Sequence, residues 1–208
     1  MGGLLTVGFW SIMSQSGHHP SKRVRASSLP PPVLQSKNLT LRPAASSDVD
    51  HRFELGVEPD EHLRLYGVDP ATAPPFTFGS AERWVRSLMD HPYAWIIENS
   101  VLLGSVRLDR VDFTDRRASF AIGLLQSDNI GKGIGTEAAQ TVLSYAFSDL
   151  KLHRVSLRVL AVNERAIRSY QKCGFKIEGR ECETAFLDGK WHDDLIMGLL
   201  EHELCAEK

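Results

Sequence analysis

Three glycines at alternate positions constrain this chain most. They stand in Ile130-Gly131-Lys132-Gly133-Ile134-Gly135-Thr136-Glu137, between an apolar run, Phe120 to Leu125, and a segment with helical spacing. Ala139, Leu143, Ala146 and Leu150 recur at i, i+4, i+7 and i+11, one face of a 3.6-residue period. The pattern predicts a strand, a bare-backbone turn and a helix. Glycine admits positive φ and the close approach of a ligand, and the unpaired N–H groups of the first helical turn point at negative charge. A ligand carrying phosphates is therefore expected, with a tight turn that binds nothing as the alternative.

Spacing separates the common phosphate loops. A P-loop ending at Gly131-Lys132 needs glycine five residues earlier and Ser or Thr directly after, but those positions hold Gln126 and Gly133. Gly133, Gly135 and Ala138 fit the G-x-G-x-x-A form of the dinucleotide fingerprint. The acidic residue that should follow about 20 positions later is missing from Lys151 to Val162, which weakens that reading.

A second stretch, Asn163-Glu164-Arg165-Ala166-Ile167-Arg168-Ser169-Tyr170-Gln171-Lys172-Cys173-Gly174-Phe175, follows a β-rich run from His153 to Val162. Asn163 can cap a helix and Gly174 suits the position that ends one. Ala166, Ile167 and Tyr170 share a face that should pack on a sheet, which by itself makes Tyr170 a half-buried core tyrosine. Together the two stretches resemble the GNAT superfamily of N-acetyltransferases, which take acetyl from acetyl-CoA. The resemblance runs from about Leu39 to Leu200 and is densest over Phe120 to Phe175. It is greatest to the branch of ribosomal-protein N-terminal and spermidine N-acetyltransferases, which Phe186-Leu187-Asp188-Gly189-Lys190-Trp191-His192-Asp193-Asp194 also resembles.

With 208 residues, 42% of them hydrophobic, one domain with a real core is expected. Residues 1–37 hold four basic side chains (Lys22, Arg23, Arg25, Lys37) and no acid, so the remainder carries 20 basic against 26 acidic residues. That balance argues against nucleic acid as a partner and suits a cationic substrate or, more plainly, a solvated acidic surface. Cys173, Cys182 and Cys205 have no metal-like spacing, so free thiols in a reducing, cytoplasmic compartment are expected, with no metal. Residues 1–37 read as a disordered tail around Ala26-Ser27-Ser28-Leu29-Pro30-Pro31-Pro32. Its apolar first dozen residues lack a basic lead and are too short to span a membrane. Met1-Gly2-Gly3-Leu4-Leu5-Thr6 fits the short myristoylation pattern, the serines faintly suggest a transit peptide, His18-His19 could suggest a metal, and Met13 is a rival start.

Residues 38–204 are expected to form the acetyltransferase domain. Leu39-Thr40-Leu41-Arg42 reads as a strand, and Ser46-Ser47-Asp48 caps a helix reaching Gly56. A second helix starts near Glu58, Asp60 and Glu61, acids that suit a solvated helix start or an amine. Phe76 to Ser80 reads as a loop and Ala81 to Met89 as a helix. Strands follow at Ala94 to Glu98, Leu102 to Leu108, Arg117 to Leu125 and Arg154 to Leu160, with Asp109, Asp112 and Asp115 in a solvated connection. Asp188-Gly189 joins a closing hairpin, about Lys176–Phe186 and Trp191–Leu200. The fold class is α/β: a single-domain, mixed, mostly antiparallel sheet of six to seven strands with helices on both faces, as in the GNAT fold.

The resemblance implies the chemistry and its residues. The amine attacks the thioester directly, so no nucleophilic Ser or Cys is required. The backbone of Gly123, Leu124 and Leu125 would bind pantetheine where that strand splays from its neighbour. Ile130, Gly131, Lys132, Gly133, Ile134, Gly135 and Thr136 would hold the pyrophosphate, and Asn163, Ala166 and Lys172 would add cofactor contacts. Tyr170 matches the tyrosine that protonates the departing thiolate. Two departures stand out: Ile130 replaces the usual Arg or Gln at the loop's start, and Ser119 replaces a Glu that relatives often carry on the preceding strand. Loss of that Glu weakens a polyamine reading and leaves the base unassigned, with His192, Asp193 and Asp194 as candidates by type. The expected acceptor is a peptide or protein N-terminal amine; a small amine (polyamine or aminoglycoside) and a non-catalytic acyl-CoA-binding domain are the alternatives. No membrane partner is expected, and a homodimer is left open.

Overall fold

In the computed structural model, which describes residues 30–204, the strand Ala94–Glu98 is buried on both faces. Trp95 and Ile97 pack into one core and Ala94 and Ile96 into another, as the two-residue period of a strand requires. A sheet covered on both sides follows. The chain runs β1 (Leu34–Gln35), β2 (Thr40–Arg42), α1 (Asp48–Glu54), α2 (Asp60–Leu65), α3 (Phe78–Met89), β3 (Ala94–Glu98), β4 (Leu102–Asp112), β5 (Arg117–Leu124), α4 (Ile134–Ser148), β6 (Arg154–Leu160), α5 (Glu164–Lys172), β7 (Lys176–Leu187) and β8 (Lys190–Leu200). The strand order is β1-β2-β3-β4-β5-β6-β8-β7. Every neighbouring pair is antiparallel except β5 and β6, which are parallel. Ala139, Leu143 and Ala146 of α4 and Ile167 of α5 fill the larger core, and Leu88 of α3 fills the smaller one with Leu102 and Leu125.

The sheet has eight strands rather than six to seven, because a two-residue strand lies in the stretch read as tail. Leu34 pairs with Leu41, the Glu137 carboxylate accepts from Ser36 Oγ and the Asn38 N–H at 2.7 Å, and Trp95 Nε1 donates to Pro32 O at 2.7 Å. Glu137 and Trp95 are distant in sequence from the segment they hold, so no local pattern announces these bonds. The myristoylation pattern, the transit-like serines, Met13, His18-His19 and Cys205 lie outside the described residues.

Two further boundaries differ from expectation. Phe78 to Ser80 is the first turn of α3 rather than loop, because Thr77 Oγ1 accepts the Ser80 N–H at 3.2 Å and Ser80 Oγ accepts the Thr77 N–H at 3.3 Å, a capping box. β4 runs on to Asp112 across a bulge between Asp109 and Asp112, with Arg110 at φ 51°. Asp109 is therefore a strand residue and not part of a solvated turn; Asp112 does shape the turn, accepting the Thr114 and Asp115 N–H groups at 2.8 and 3.1 Å.

The break in the middle of the sheet positions the site. β5 and β6 pair only where Arg117, Ala118 and Ser119 meet Arg154, Val155 and Ser156. Beyond that, β5 stays with β4 as far as Leu124 opposite Gly104, and β6 stays with β8 as far as Leu160 opposite Asp194. The two halves open like a V. The β4–β5 approach is close: a Cβ on Gly104 would lie 2.1 Å from Gly123 O.

Candidate active site

The phase of the β4–β5 ladder decides which backbone groups face the opening. Leu125 N–H donates to Leu103 O at 2.9 Å, and Gly123 stands opposite Ser105. Alternation of an antiparallel ladder then turns the N–H and C=O of Gly123 and Leu125 toward β4, and those of Ile122 and Leu124 toward the opening. Tyr66, just past α2, reports the same phase: its hydroxyl donates to Leu124 O at 2.9 Å and accepts the Leu124 N–H at 3.0 Å. Of the three backbone positions named from the sequence, only Leu124 presents its groups to the opening. Gly123 borders it without doing so, and Leu125 is 1% exposed in the smaller core. Ile122, whose backbone faces the opening, was not named from the sequence because the strand's period was legible but its phase was not.

The glycine loop meets this opening. Gly131 and Gly133 adopt φ 81° and 84°, and Gly133 caps α4. Glu137 N–H returns to Gly133 O at 2.9 Å, so the N–H groups of Ile134, Gly135 and Thr136 have no partner within the helix. Ile130, Gly131, Gly133, Gly135 and Thr136 border a cleft of about 300 Å³ whose other wall includes Asn163, Ala166 and Lys172. Arg165 and Arg168 border it as well, so the loop and three cations face the same space. Lys132 is exposed outside the cleft, and Ile134 packs against the larger core. Asn163 is a cap in fact: Oδ1 accepts the Ala166 N–H at 3.1 Å while Nδ2 donates to Leu65 O at 3.3 Å. His62 was not singled out from sequence. It is 3% exposed, borders the cleft, and neither ring nitrogen has a hydrogen-bond partner among the described residues. Burial and then Arg165 lower its pKa, keeping the ring neutral.

A larger cleft of about 600 Å³ opens on the other side of the V, and Tyr66, Ile122 and Tyr170 border both clefts. The Tyr170 ring stands edge-on to Phe120 at 6.3 Å and to Phe175 at 5.9 Å. Its hydroxyl has no hydrogen-bond partner among the described residues. Burial, then Tyr66 and Cys173, push its pKa well above the usual tyrosine value, and burial with Glu58 pushes Tyr66 up to about 12. Both hydroxyls stay protonated at neutral pH, as a proton donor must.

The larger cleft's carboxylates are engaged. Asp109 accepts from Arg107 Nε at 2.9 Å and lies 3.1 Å from His91 Nε2. Tyr93 N–H donates to His91 Nδ1 at 3.1 Å, which leaves the ring proton on Nε2 to meet Asp109. Burial opposes ionisation of Asp109, but His91 and Arg107 hold its carboxyl below the usual range. Asp194 accepts from Arg158 at 3.0 Å, and Arg158 also binds Glu181. Of the three base candidates only Asp194 borders the cleft. Asp193 is turned to Arg180 and the Glu183 N–H, both at 2.9 Å, and His192 sits opposite Ala185 in the hairpin. The acids near α2 border neither cleft: Glu58 is buried against Arg52 at 3.2 Å, and Asp60 and Glu61 are exposed. Among the described residues no cluster of three His, Cys, Asp or Glu could hold a metal ion, and no helix is long and apolar enough to cross a membrane.

A splayed sheet with a glycine loop on one side and a half-buried tyrosine bordering both clefts is the arrangement the chain presents. Residues 38–176 match the family model of the acetyltransferase (GNAT) domain, and the chain belongs to that family, whose acyl donor is acetyl-CoA. A solved spermidine N-acetyltransferase from Vibrio cholerae, in complex with CoA and spermine, superposes with a TM-score of 0.67 at 25% identity, over 81% of this chain and 98% of that one. The spermidine N(1)-acetyltransferase of Escherichia coli K12 is 35% identical over 104 residues; that match spans about half of each protein, 50% of this chain and 55% of the relative. A putative ribosomal N-acetyltransferase of Bacillus subtilis is 25% identical over 178 residues, 83% of this chain and 97% of its own length.

Proposed function

We propose that the chain is an acetyl-CoA-dependent N-acetyltransferase acting on a primary amine, with a peptide or protein N-terminal amine as its acceptor. The observation that carries this reading is the junction of two clefts at Tyr170: one is bordered by the glycine loop and three cations, the other by arginines and aspartates set among apolar side chains. The smaller cleft suits acetyl-CoA. Unpaired N–H groups at the start of α4 would meet the pyrophosphate, with Lys172 nearby, and the Ile122 and Leu124 backbone would meet the pantetheine amides. Bound there, acetyl-CoA supplies a thioester carbonyl open to attack by a neutral amine. The Ile122 N–H faces the opening as an oxyanion donor, Phe120 and Phe175 hold the Tyr170 ring, and the Tyr170 hydroxyl carries the proton for the thiolate.

Two features favour an α-amine over a polyamine. The larger cleft is bordered by Arg107, Arg110 and Arg158 with Asp109 and Asp194, and of the three guanidinium groups only Arg110 has no carboxylate partner among the described residues. Both aspartates are ion-paired, so neither is a free base. At pH 7.5 about a third of an α-amine is neutral, against about one in a thousand alkylamines; an α-amine asks less of such a site. The spermidine relatives support the small-amine alternative.

Acetyl-CoA binding by calorimetry, then CoA release with a panel of peptides and small amines, tests the reading in the full chain and in Tyr170→Phe. Equal binding by both, with turnover reduced about 10²- to 10⁴-fold in the variant, is expected. Binding without turnover in either would favour the non-catalytic acyl-CoA-binding alternative, and no binding would remove the assignment.

A further inference from the structure

Arg110 stands apart from the other charges of the larger cleft. Arg107 is matched by Asp109 at 2.9 Å and Arg158 by Asp194 at 3.0 Å. Arg110 has no carboxylate partner among the described residues; its hydrogen bond runs from Nη2 to Ser119 Oγ at 2.8 Å. Both residues border the cleft. The arrangement is built by the backbone. Arg110 occupies the bulge of β4 at φ 51°, a left-handed conformation that a non-glycine residue adopts only when its surroundings hold it there. Ser119 is the last residue of β5 paired to β6, so the guanidinium lies over the point where the V opens. Because Ser119 Oγ accepts from Arg110, its own O–H is left to donate. A guanidinium with spare N–H groups and a neighbouring hydroxyl donor, side by side at the border of a cleft, can bind an oxyanion.

We infer that Arg110 and Ser119 form an anion subsite in the acceptor cleft, so the amine that is acetylated carries a carboxylate near its nitrogen. The inference rests on the acetyltransferase reading above and narrows its substrate. The carboxylate has two sources: an acidic side chain at the start of a peptide, or the α-carboxylate of a free amino acid. The same cation disfavours a polyamine, whose charges would meet an unmatched guanidinium.

The test uses the full chain with saturating acetyl-CoA and two matched pairs of acceptors: peptides beginning with Asp or Asn, and an amino acid with its amide, compared at equal concentrations of neutral amine. The carboxylate member of at least one pair is expected to show kcat/KM about tenfold higher or more. Preference in the peptide pair assigns the side chain, and preference in the other pair assigns the α-carboxylate. Arg110→Ala should abolish the preference, Arg110→Lys should restore part of it, and Arg110→Glu should turn it toward a diamine. Arg110 is exposed, so these variants are expected to fold, and a thermal melt of each checks this. Equal rates within both pairs overturn the inference, as does a preference that survives Arg110→Ala. Acetyl-CoA binding with no acceptor of either pair acetylated overturns it too. Failure to bind acetyl-CoA instead overturns the underlying reading and takes the inference with it.

Discussion

Tyr66 holds the backbone groups that a cofactor amide would use, and removing its oxygen should act in two opposite directions. The hydroxyl donates to Leu124 O at 2.9 Å and accepts the Leu124 N–H at 3.0 Å. Such bonds each contribute about 0.5–1.5 kcal/mol net, so the pair ties the end of α2 to β5 by about 1–3 kcal/mol. In Tyr66→Phe the Leu124 groups lose this partner but border a cleft of about 300 Å³, roomy enough for water. Stability should therefore fall by only about 1–2 kcal/mol, at the lower end of the cost of a fully buried orphan. Binding should move the other way. A pantetheine amide docking on Leu124 must first displace the hydroxyl, and a site blocked in the free protein lowers apparent affinity by the fraction that is open. Without the hydroxyl, acetyl-CoA should bind about five- to thirtyfold more tightly, the same 1–2 kcal/mol. Calorimetric Kd values for both proteins at one pH and salt concentration, with urea midpoints alongside, read both effects. The gain should be flat across neutral pH, because the Tyr66 hydroxyl titrates only near about 12. A variant that loses stability but binds acetyl-CoA equally or more weakly would refute the displacement argument and the docking of the cofactor on Leu124.

Two further perturbations test the scaffold around the site. Gly104→Ala would set a Cβ 2.1 Å from Gly123 O, a backbone atom that cannot swing aside, so a loss of about 3 kcal/mol in urea unfolding is expected; an unchanged midpoint would show that the two strands re-space freely. His62 is depressed below its ordinary value near 6.5 by burial and then by Arg165. The unfolded chain therefore takes the proton first, and stability present above about pH 6.5 is lost as pH falls toward the folded value. Burial raises Glu58, which gives the opposite slope in the same window, so the informative quantity is the difference from His62→Asn. The native midpoint should fall more steeply between about pH 6.5 and 5 than that of the variant, and parallel curves would contradict the assignment.

What the chain order alone determined is whatever repeats locally. The alternation of Val155, Leu157 and Val159 placed β6 at Arg154–Leu160, the bounds observed. Asn163 placed the start of α5, and Asp188-Gly189 placed the turn of the closing hairpin, where both residues take positive φ. The glycine loop before α4 was legible for the same reason, a short pattern with a fixed phase, whereas Tyr170 on α5 read by itself as a half-buried core tyrosine and took its role only from the resemblance. Tertiary structure decided everything that depends on which strand or helix lies beside another. The phase of the β4–β5 ladder exchanged Ile122 for Gly123 and Leu125 as the backbone facing the cleft. The bulge at Arg110 turned a supposed solvated connection into part of the cleft, bringing Asp109 with it. The Tyr66 hydroxyl found Leu124 58 residues away, and His62 was enclosed without a partner. Periodicity reports which face of an element is apolar, because that depends on near neighbours in the chain. It carries no record of register between elements, which is set by hydrogen bonds closed across long loops, and the two clefts are made of those closures.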